Sequence, residues 1–353
     1  MHLILDKINI IFPDFYIENF SLSLDRGEFF VLLGHSGSGK TTIIQAIAGL
    51  LEIHKGKIYL NHRDITTQST YKRNIGIVFQ DFALFPHLNV FDNIAFSLKI
   101  KKIKHREIVK KVQHLLQIVN LEGYENRKIY ELSGGEKQRV SLARTLAPEP
   151  EIILFDEPLS ALDELLRYRL RETIKDIQKQ LGFTAIYVTH DQDEAFFLAD
   201  RIGIMSKGKL IRVGTPEQVY LDPQSFIVSD FLGFNNRFLC DVIKIDNNYS
   251  YLKCKDVEFK IRSNELNLKD KVYLLIKPST GIFSDRVLSE NCFDVKILKI
   301  QLYGAIAVIK IQINNIELEV KMHRSFIFEE IISKNQVLKY NLPFEAFSIV
   351  EAQ

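Results

Sequence analysis

The chain has 353 residues, too many for a single hydrophobic core and enough for two domains. An apolar fraction of 46% and a charged fraction of 25% are those of an ordinary globular protein, and a net charge of +2 lacks the basic bias of a nucleic-acid binder. Cys240, Cys254 and Cys292 are scattered without a Cys-x-x-Cys pair, which reads as buried free thiols rather than metal ligands.

In chain order, the first seven residues hold no apolar stretch of secretory type, and no later window approaches the roughly 18 apolar residues of a spanning helix. The chain is therefore not expected to cross a membrane itself. Phe29 to Leu33 reads as a buried strand, and Thr41 to Ala48 as a helix with Ile43, Ile44 and Ile47 on one face and Gly49 ending it. From about Asp81 the pattern turns helical, with Val109, Val112, Leu116 and Val119 on one face among many lysines. Ile152 to Phe155 and Ala185 to Val188 are two further buried strands, each stopping at a polar cluster, where open α/β sheets place ligands. After about Phe234 short alternating segments take over: Val257 to Ile261, Val272 to Ile276 and Ala305 to Ile313, with Asn314-Asn315 as a turn. The expected architecture is an α/β domain over 1–234, with a helical subdomain at about 81–145, followed by a small all-β barrel over 235–353.

The chemistry sits in motifs between these elements. Gly34-His35-Ser36-Gly37-Ser38-Gly39-Lys40-Thr41 fits G-x-x-x-x-G-K-[ST] between a strand and a helix, the context that a phosphate-binding loop needs. Backbone N–H groups and the helix N-terminus cradle phosphate oxygens, Lys40 reaches the β- and γ-phosphates, and the Thr41 hydroxyl is placed for Mg²⁺. Thr42 follows on the same turn. Asp156 ends its strand and can face that metal. Glu157, next to it, is placed to polarise an attacking water, although as an isolated residue it reads equally well as a solvated charge. His190 ends the next apolar strand, where an imidazole N–H can stabilise charge on the transferred phosphoryl. Gln80 ends a strand at the entrance to the helical region, where its amide can touch Mg²⁺ or water. Ser133-Gly134-Gly135-Glu136 starts a helix and forms a second anion site, or else an ordinary Ser N-cap. An anion site without a ligand in its own subunit suits a neighbour's nucleotide.

In this order the motifs resemble one family, the ATP-binding subunits of ABC transporters, with a match running from Leu3 to about Gly233. The phosphate loop, Gln80, Leu132-Ser133-Gly134-Gly135-Glu136, Asp156-Glu157, Ser160-Ala161-Leu162-Asp163 and His190 all occur in sequence. The resemblance implies a P-loop NTPase cassette that binds ATP and Mg²⁺. It also implies a head-to-tail dimer, a homodimer in the simpler case, in which Ser133 to Glu136 of one subunit cap the ATP held by the other. The Ser160 to Asp163 loop would then cross between the two sites, with Asp163 near the nucleotide. An early aromatic residue stacks on adenine in this family, and Phe12 and Phe15 are both candidates. His35 stands where related importers often have proline.

The segment Gly214 to Tyr220, then Phe231-Leu232-Gly233, is similar to importers that append a small OB-like regulatory β-barrel. Ala147-Pro148-Glu149-Pro150 and Phe79 to His87 resemble the ferric-iron and polyamine branch, whereas Phe12 to Tyr16 also resembles molybdate or tungstate subunits. Sugar and sulfate importers share the same plan. Lys277-Pro278-Ser279 stands where Arg-Pro-Glu is usual. The implied partners are two membrane permeases and an external solute-binding protein, with the chain on the cytoplasmic face of the membrane and no nucleic acid bound. The lysine-rich stretch Lys99 to Lys111 reads as a solvated helix face ahead of a lipid-facing one. A soluble, non-transport ABC ATPase is the competing class; one cassette, no heptad insertion and no cysteine cluster speak against it.

Overall fold

The computed structural model describes residues 1–246, 248–263, 266–268, 270–325 and 338–351. The chain divides into two compact units, Met1–Glu217 and Gln218–Gln353.

The first unit opens with β1 (Leu3–Ile11) and β2 (Tyr16–Leu24), an antiparallel pair joined through β1 to β4 (Lys55–Leu60) and then β5 (Arg63–Asp64). Between them in sequence run β3 (Phe29–Leu33) and α1 (Lys40–Ala48). Beyond follow β6 (Ile75–Val78), α2 (Val90–Ile100), α3 (His105–Ile118), α4 (Gly134–Leu146), β7 (Ile152–Asp156), α5 (Glu164–Leu181), β8 (Thr184–Thr189), α6 (Gln192–Leu198), β9 (Arg201–Ser206) and β10 (Lys209–Gly214). The second sheet has the order β10-β9-β3-β8-β7-β6, parallel throughout except for β10. Every position of β3 and β8 is buried, as expected of strands covered on both faces. Because β8 lies between β3 and β7, pairing Leu33 with Thr189 and Asp156 with Val188, three polar strand ends meet at one edge of the sheet.

Helix α1 runs from that edge. Gly39 before it and Gly49 after it both take left-handed backbone, with φ of 102° and 76°. Its far end is closed by Arg73, a nearly fully buried residue whose guanidinium donates to the Ala46 and Ile47 carbonyls at 2.8 Å each, and to those of Gln68 and Thr66. Orphan carbonyls at a helix C-terminus are thus met by a cation, as the helix dipole favours.

In the helical part, Asn89 caps α2 and Ser133 caps α4, whereas α3 has no side-chain cap. The buried face of α3 is Ile108, Val112, Leu115 and Leu116, continued by Val119; Val109 falls at its half-buried edge. Among the lysines of this region, Lys99 pairs with Asp92 and Lys111 with Glu149, so part of the basic stretch is internally neutralised.

The second unit is built mainly of strands. The α7 turn (Pro216–Leu221) leads into it and α8 (Phe226–Phe231) follows. One antiparallel sheet joins β11 (Asn236–Asp246), β12 (Tyr249–Cys254), β13 (Val257–Arg262), β14 (Lys271–Ile276) and β20 (Phe347–Glu351). The other joins β15 (Ile282–Ser284), β16 (Asn291–Tyr303), β17 (Ile306–Ile313), β18 (Ile316–His323) and β19 (Leu338–Leu342). Leu252, Phe259 and Leu274 of the first sheet share one core with Ile309, Ile311, Leu318 and Tyr340 of the second. Asn314-Asn315 forms the two-residue turn between β17 and β18, with Asn314 at φ 48°.

The pairing of Asp241 with Lys253 sets Cys240 against Cys254 on adjacent strands, and burial pushes both thiols above their ordinary range. Cys292 is half-buried. Lys277 is buried, its ammonium donating to the Glu345 carbonyl at 2.6 Å, while the neighbouring Ser279 hydroxyl is bonded to the Tyr220 hydroxyl. Burial pushes the Lys277 pKa down to about 8.

Candidate active site

The loop from Gly34 to Gly39 turns between β3 and α1 as its glycines allow. A Cβ at Gly34 would lie 2.4 Å from the Met205 carbonyl, and one at Gly39 would lie 2.7 Å from the Phe15 ring. Lys40 is buried and points its ammonium back at the loop, donating to the Gly34 carbonyl at 2.8 Å and the His35 carbonyl at 3.0 Å. Burial lowers its pKa, against the opposing pull of Glu157 and Asp156. The Ser38 hydroxyl is buried without a hydrogen-bond partner, an unmet polar group inside the loop. A cavity of about 360 Å³ is lined by Phe15, Ser36, Gly37, Gly39, Lys40, Thr41, Thr42 and Glu157.

At the same edge, the Thr41 hydroxyl donates to Asp156 Oδ1 at 2.8 Å. Burial raises the Asp156 pKa, and the Thr41 bond opposes that rise. Glu157 departs from strand geometry. Its backbone is left-handed, with φ of 43°, and its N–H donates to the Val188 carbonyl at 3.1 Å. A non-glycine residue held in that region carries strain, which is common at functional sites. The turn brings one carboxylate oxygen to 3.0 Å from Nδ1 of His190 and the other to 3.8 Å from the Lys40 ammonium.

The donor set suits a magnesium-bound triphosphate. Thr41 and Asp156 present two hard oxygens side by side, a buried lysine supplies positive charge, and Gly37 and Gly39 line the cavity without side chains. Of the two early aromatics, Phe15 lines the cavity; Phe12 does not, although the two rings stack at 6.5 Å.

Other residues singled out in the sequence lie apart from this cavity. Gln80 is in an exposed turn two residues beyond the end of β6, instead of at the strand end itself. Ser133 and Glu136 form a reciprocal capping box: the Ser133 hydroxyl accepts from the Glu136 N–H, and the Glu136 carboxylate accepts from the Ser133 N–H at 2.7 Å and from the Tyr124 hydroxyl at 2.9 Å. A Cβ on Gly134 would meet Leu162 at 2.9 Å, and one on Gly135 would meet Leu166 at 2.8 Å. Asp163 caps α5 by accepting from the Leu166 N–H. None of Ser133, Gly134, Gly135, Glu136 and Asp163 lines the phosphate-loop cavity.

A second cavity, of about 30 Å³, is lined by Glu157, Ser160, Arg167, Thr189, His190, Asp191 and Glu194. Arg167 and Glu194 escaped the sequence reading. The available signal was spacing: each sits four residues after a site residue, Asp163 at the start of α5 and His190 just ahead of α6.

The model of the ABC transporter family matches residues 17–160. The spermidine/putrescine import ATP-binding protein PotA of Hahella chejuensis is 42% identical over 264 residues, which span 74% of this chain and 72% of that protein. The chain belongs to the ABC transporter family. The protein of the same name from Thermotoga maritima is 39% identical over 293 residues, spanning 82% of this chain and 80% of its own. A solved structure, cbiO1 from Clostridium perfringens, described as part of the ABC transporter complex cbiONQ, superposes with a TM-score of 0.58 at 30% identity. It covers 62% of this chain and 90% of that one. This ABC protein is an ATP-binding subunit of an importer, and its activity is ATP hydrolysis coupled to transport. Among the described residues, no helix is long and apolar enough to cross a membrane.

Proposed function

We propose that this subunit energises the import of a polyamine such as spermidine or putrescine. It would do so as a homodimer on the cytoplasmic face of the membrane, beneath two permease subunits served by a solute-binding protein. The names and extent of its relatives support the cargo. One geometric observation supports the chemistry: Glu157 faces the phosphate-loop cavity with one oxygen near Lys40 and the other on His190.

In this reading Gly34 to Thr42 hold the phosphates of ATP, with Phe15 against the adenine. Thr41, Asp156 and Gln80 would hold Mg²⁺, which when bound neutralises charge on the β- and γ-phosphates. Lys40 gives up its two carbonyl partners for phosphate oxygens. Glu157 accepts the proton of the attacking water, and the imidazole of His190 orients that carboxylate and stabilises charge on the transferred group. Ser133 to Glu136, with Asp163, act on the partner subunit's nucleotide, so hydrolysis requires the dimer to close. The cassette spans residues 1–234, with its helical subdomain at about 81–145, and 235–353 form a regulatory domain.

The decisive experiment is reconstitution of the complex with its co-purified permeases in proteoliposomes, with the cognate binding protein present. ATP-dependent uptake of labelled spermidine or putrescine is expected. Uptake of ferric iron, molybdate, sulfate or a sugar, with polyamine left outside, would overturn the cargo while leaving the ATPase chemistry in place.

A further inference from the structure

Behind His190 lies a partly buried group of polar side chains that the chemistry above leaves unused. Glu194, at the start of α6, is 3% exposed. Its Oε2 accepts hydrogen bonds from the Tyr187 hydroxyl at 2.9 Å and the Thr189 hydroxyl at 2.8 Å, and its Oε1 lies 3.8 Å from Nε of Arg167. Thr189 Oγ1 also accepts from the Asp191 N–H, and Asp191 Oδ1 accepts from the Glu194 N–H, each at 3.0 Å. The residues on both sides of His190 are therefore pinned.

Arg167 carries this group to a different part of the site. One terminal nitrogen of its guanidinium donates to Asp191 Oδ2 at 3.2 Å, and the other donates to the Leu162 carbonyl at 3.1 Å. Its Nε is buried without a hydrogen bond. The cavity of about 30 Å³ beside it has room for a water that would serve Nε. Leu162 and Leu166 are also the side chains packed against Gly134 and Gly135. A single guanidinium thus ties the backbone of the Ser160 to Asp163 loop to the residue after His190.

An ion pair between a buried Glu194 and an Arg167 that is 27% exposed is a weak contributor to stability. A positional role accounts better for their presence. We propose that Arg167 and Glu194 are positioning residues for hydrolysis, holding His190, and through it Glu157, in register with the Ser160 to Asp163 loop. The proposal rests on the reading of Glu157 and His190 as the hydrolytic pair.

The test is steady-state ATP hydrolysis by the complete transporter carrying Arg167→Met with Glu194→Gln. This pair removes both charges together and keeps an acceptor for Tyr187 and Thr189. Misplacement of the pair is expected to lower kcat by about tenfold or more, with KM for ATP changed by less than about twofold. The melting temperature should hold or rise. Arg167→Lys, which can reach only one of the two acceptors, should recover part of the loss. It also serves as the test variant if the double variant does not fold. The His190 ring signals in a spectrum of ¹⁵N-histidine-labelled protein should shift in either variant. Wild-type kcat together with unmoved His190 signals would overturn the proposal. So would a fall in kcat that only mirrors a fall in melting temperature. Failure of the underlying reading shows separately, as near-normal turnover in Glu157→Gln.

Discussion

The Glu157 carboxylate meets His190 Nδ1 at 3.0 Å from a left-handed backbone, so a strained residue at the end of β7 is held by the end of β8. The contact crosses between two adjacent parallel strands whose register is fixed by Asp156 and Val188. Any change in that register would separate the two side chains.

Replacing Glu157 by Gln keeps a polar partner for His190 and removes the base. Turnover is expected to fall by roughly 10²–10⁴-fold while ATP still binds. Gel filtration with ATP should show a trapped dimer, and ATPase assays should show the loss. Activity near wild type would remove Glu157 from its assigned role.

Ser133→Arg should abolish hydrolysis and leave nucleotide binding to the isolated subunit unchanged. The reason is local: Ser133 and Glu136 already satisfy each other within the chain, outside the phosphate-loop cavity. Equilibrium binding of a fluorescent ATP analogue to the monomer checks this, and weakened binding there would place the segment in its own subunit's site.

Phe15 lines the cavity and presses on Gly39, whereas Phe12 stands outside it. Phe15→Ala should weaken nucleotide binding by about 0.5–1.5 kcal/mol, a two- to tenfold rise in Kd, and Phe12→Ala should have a smaller effect. Calorimetric titration with ATP measures both. The reverse ranking would move the adenine to the other ring.

Lys277 sets a pH dependence in the second unit. Its pKa is about 8 in the folded chain, against an ordinary 10.5. Between these values the unfolded chain binds more protons, so this residue makes the folded state gain stability as pH rises from about 8 to 10.5. Lys277→Met should be more stable than wild type at pH 7 or below, with the difference shrinking across that window. Denaturant midpoints at several pH values report it, and a constant difference would contradict the assignment.

Residues buried on both sides were legible in the sequence, because Phe29 to Leu33, Ile152 to Phe155 and Ala185 to Val188 are unbroken apolar runs. The β1–β2 pair was not, because shifts in its register after Leu5 and Ile8, with Lys7 at φ 48°, break the alternation that marks a half-buried strand. The phosphate loop was legible since its residues are contiguous in sequence, with Lys40 bonded to Gly34 and His35 inside it. The choice between Phe12 and Phe15, and the meeting of Arg167 with Asp191 and Glu194, were not, since each depends on what the fold packs against it. Gln80 falls two residues beyond its strand because the apolar run continues to Phe79, whereas strand pairing stops at Val78.

The arginine that closes α1 has a mechanical consequence. A helix whose last carbonyls face water can fray and absorb a push at its other end. In α1 those carbonyls are locked to Arg73, which is also bound to the Thr66 and Gln68 backbone. The helix that begins at Lys40 and Thr41 is therefore anchored at its other end to the Thr66 to Arg73 segment, which ties that segment to the phosphate loop.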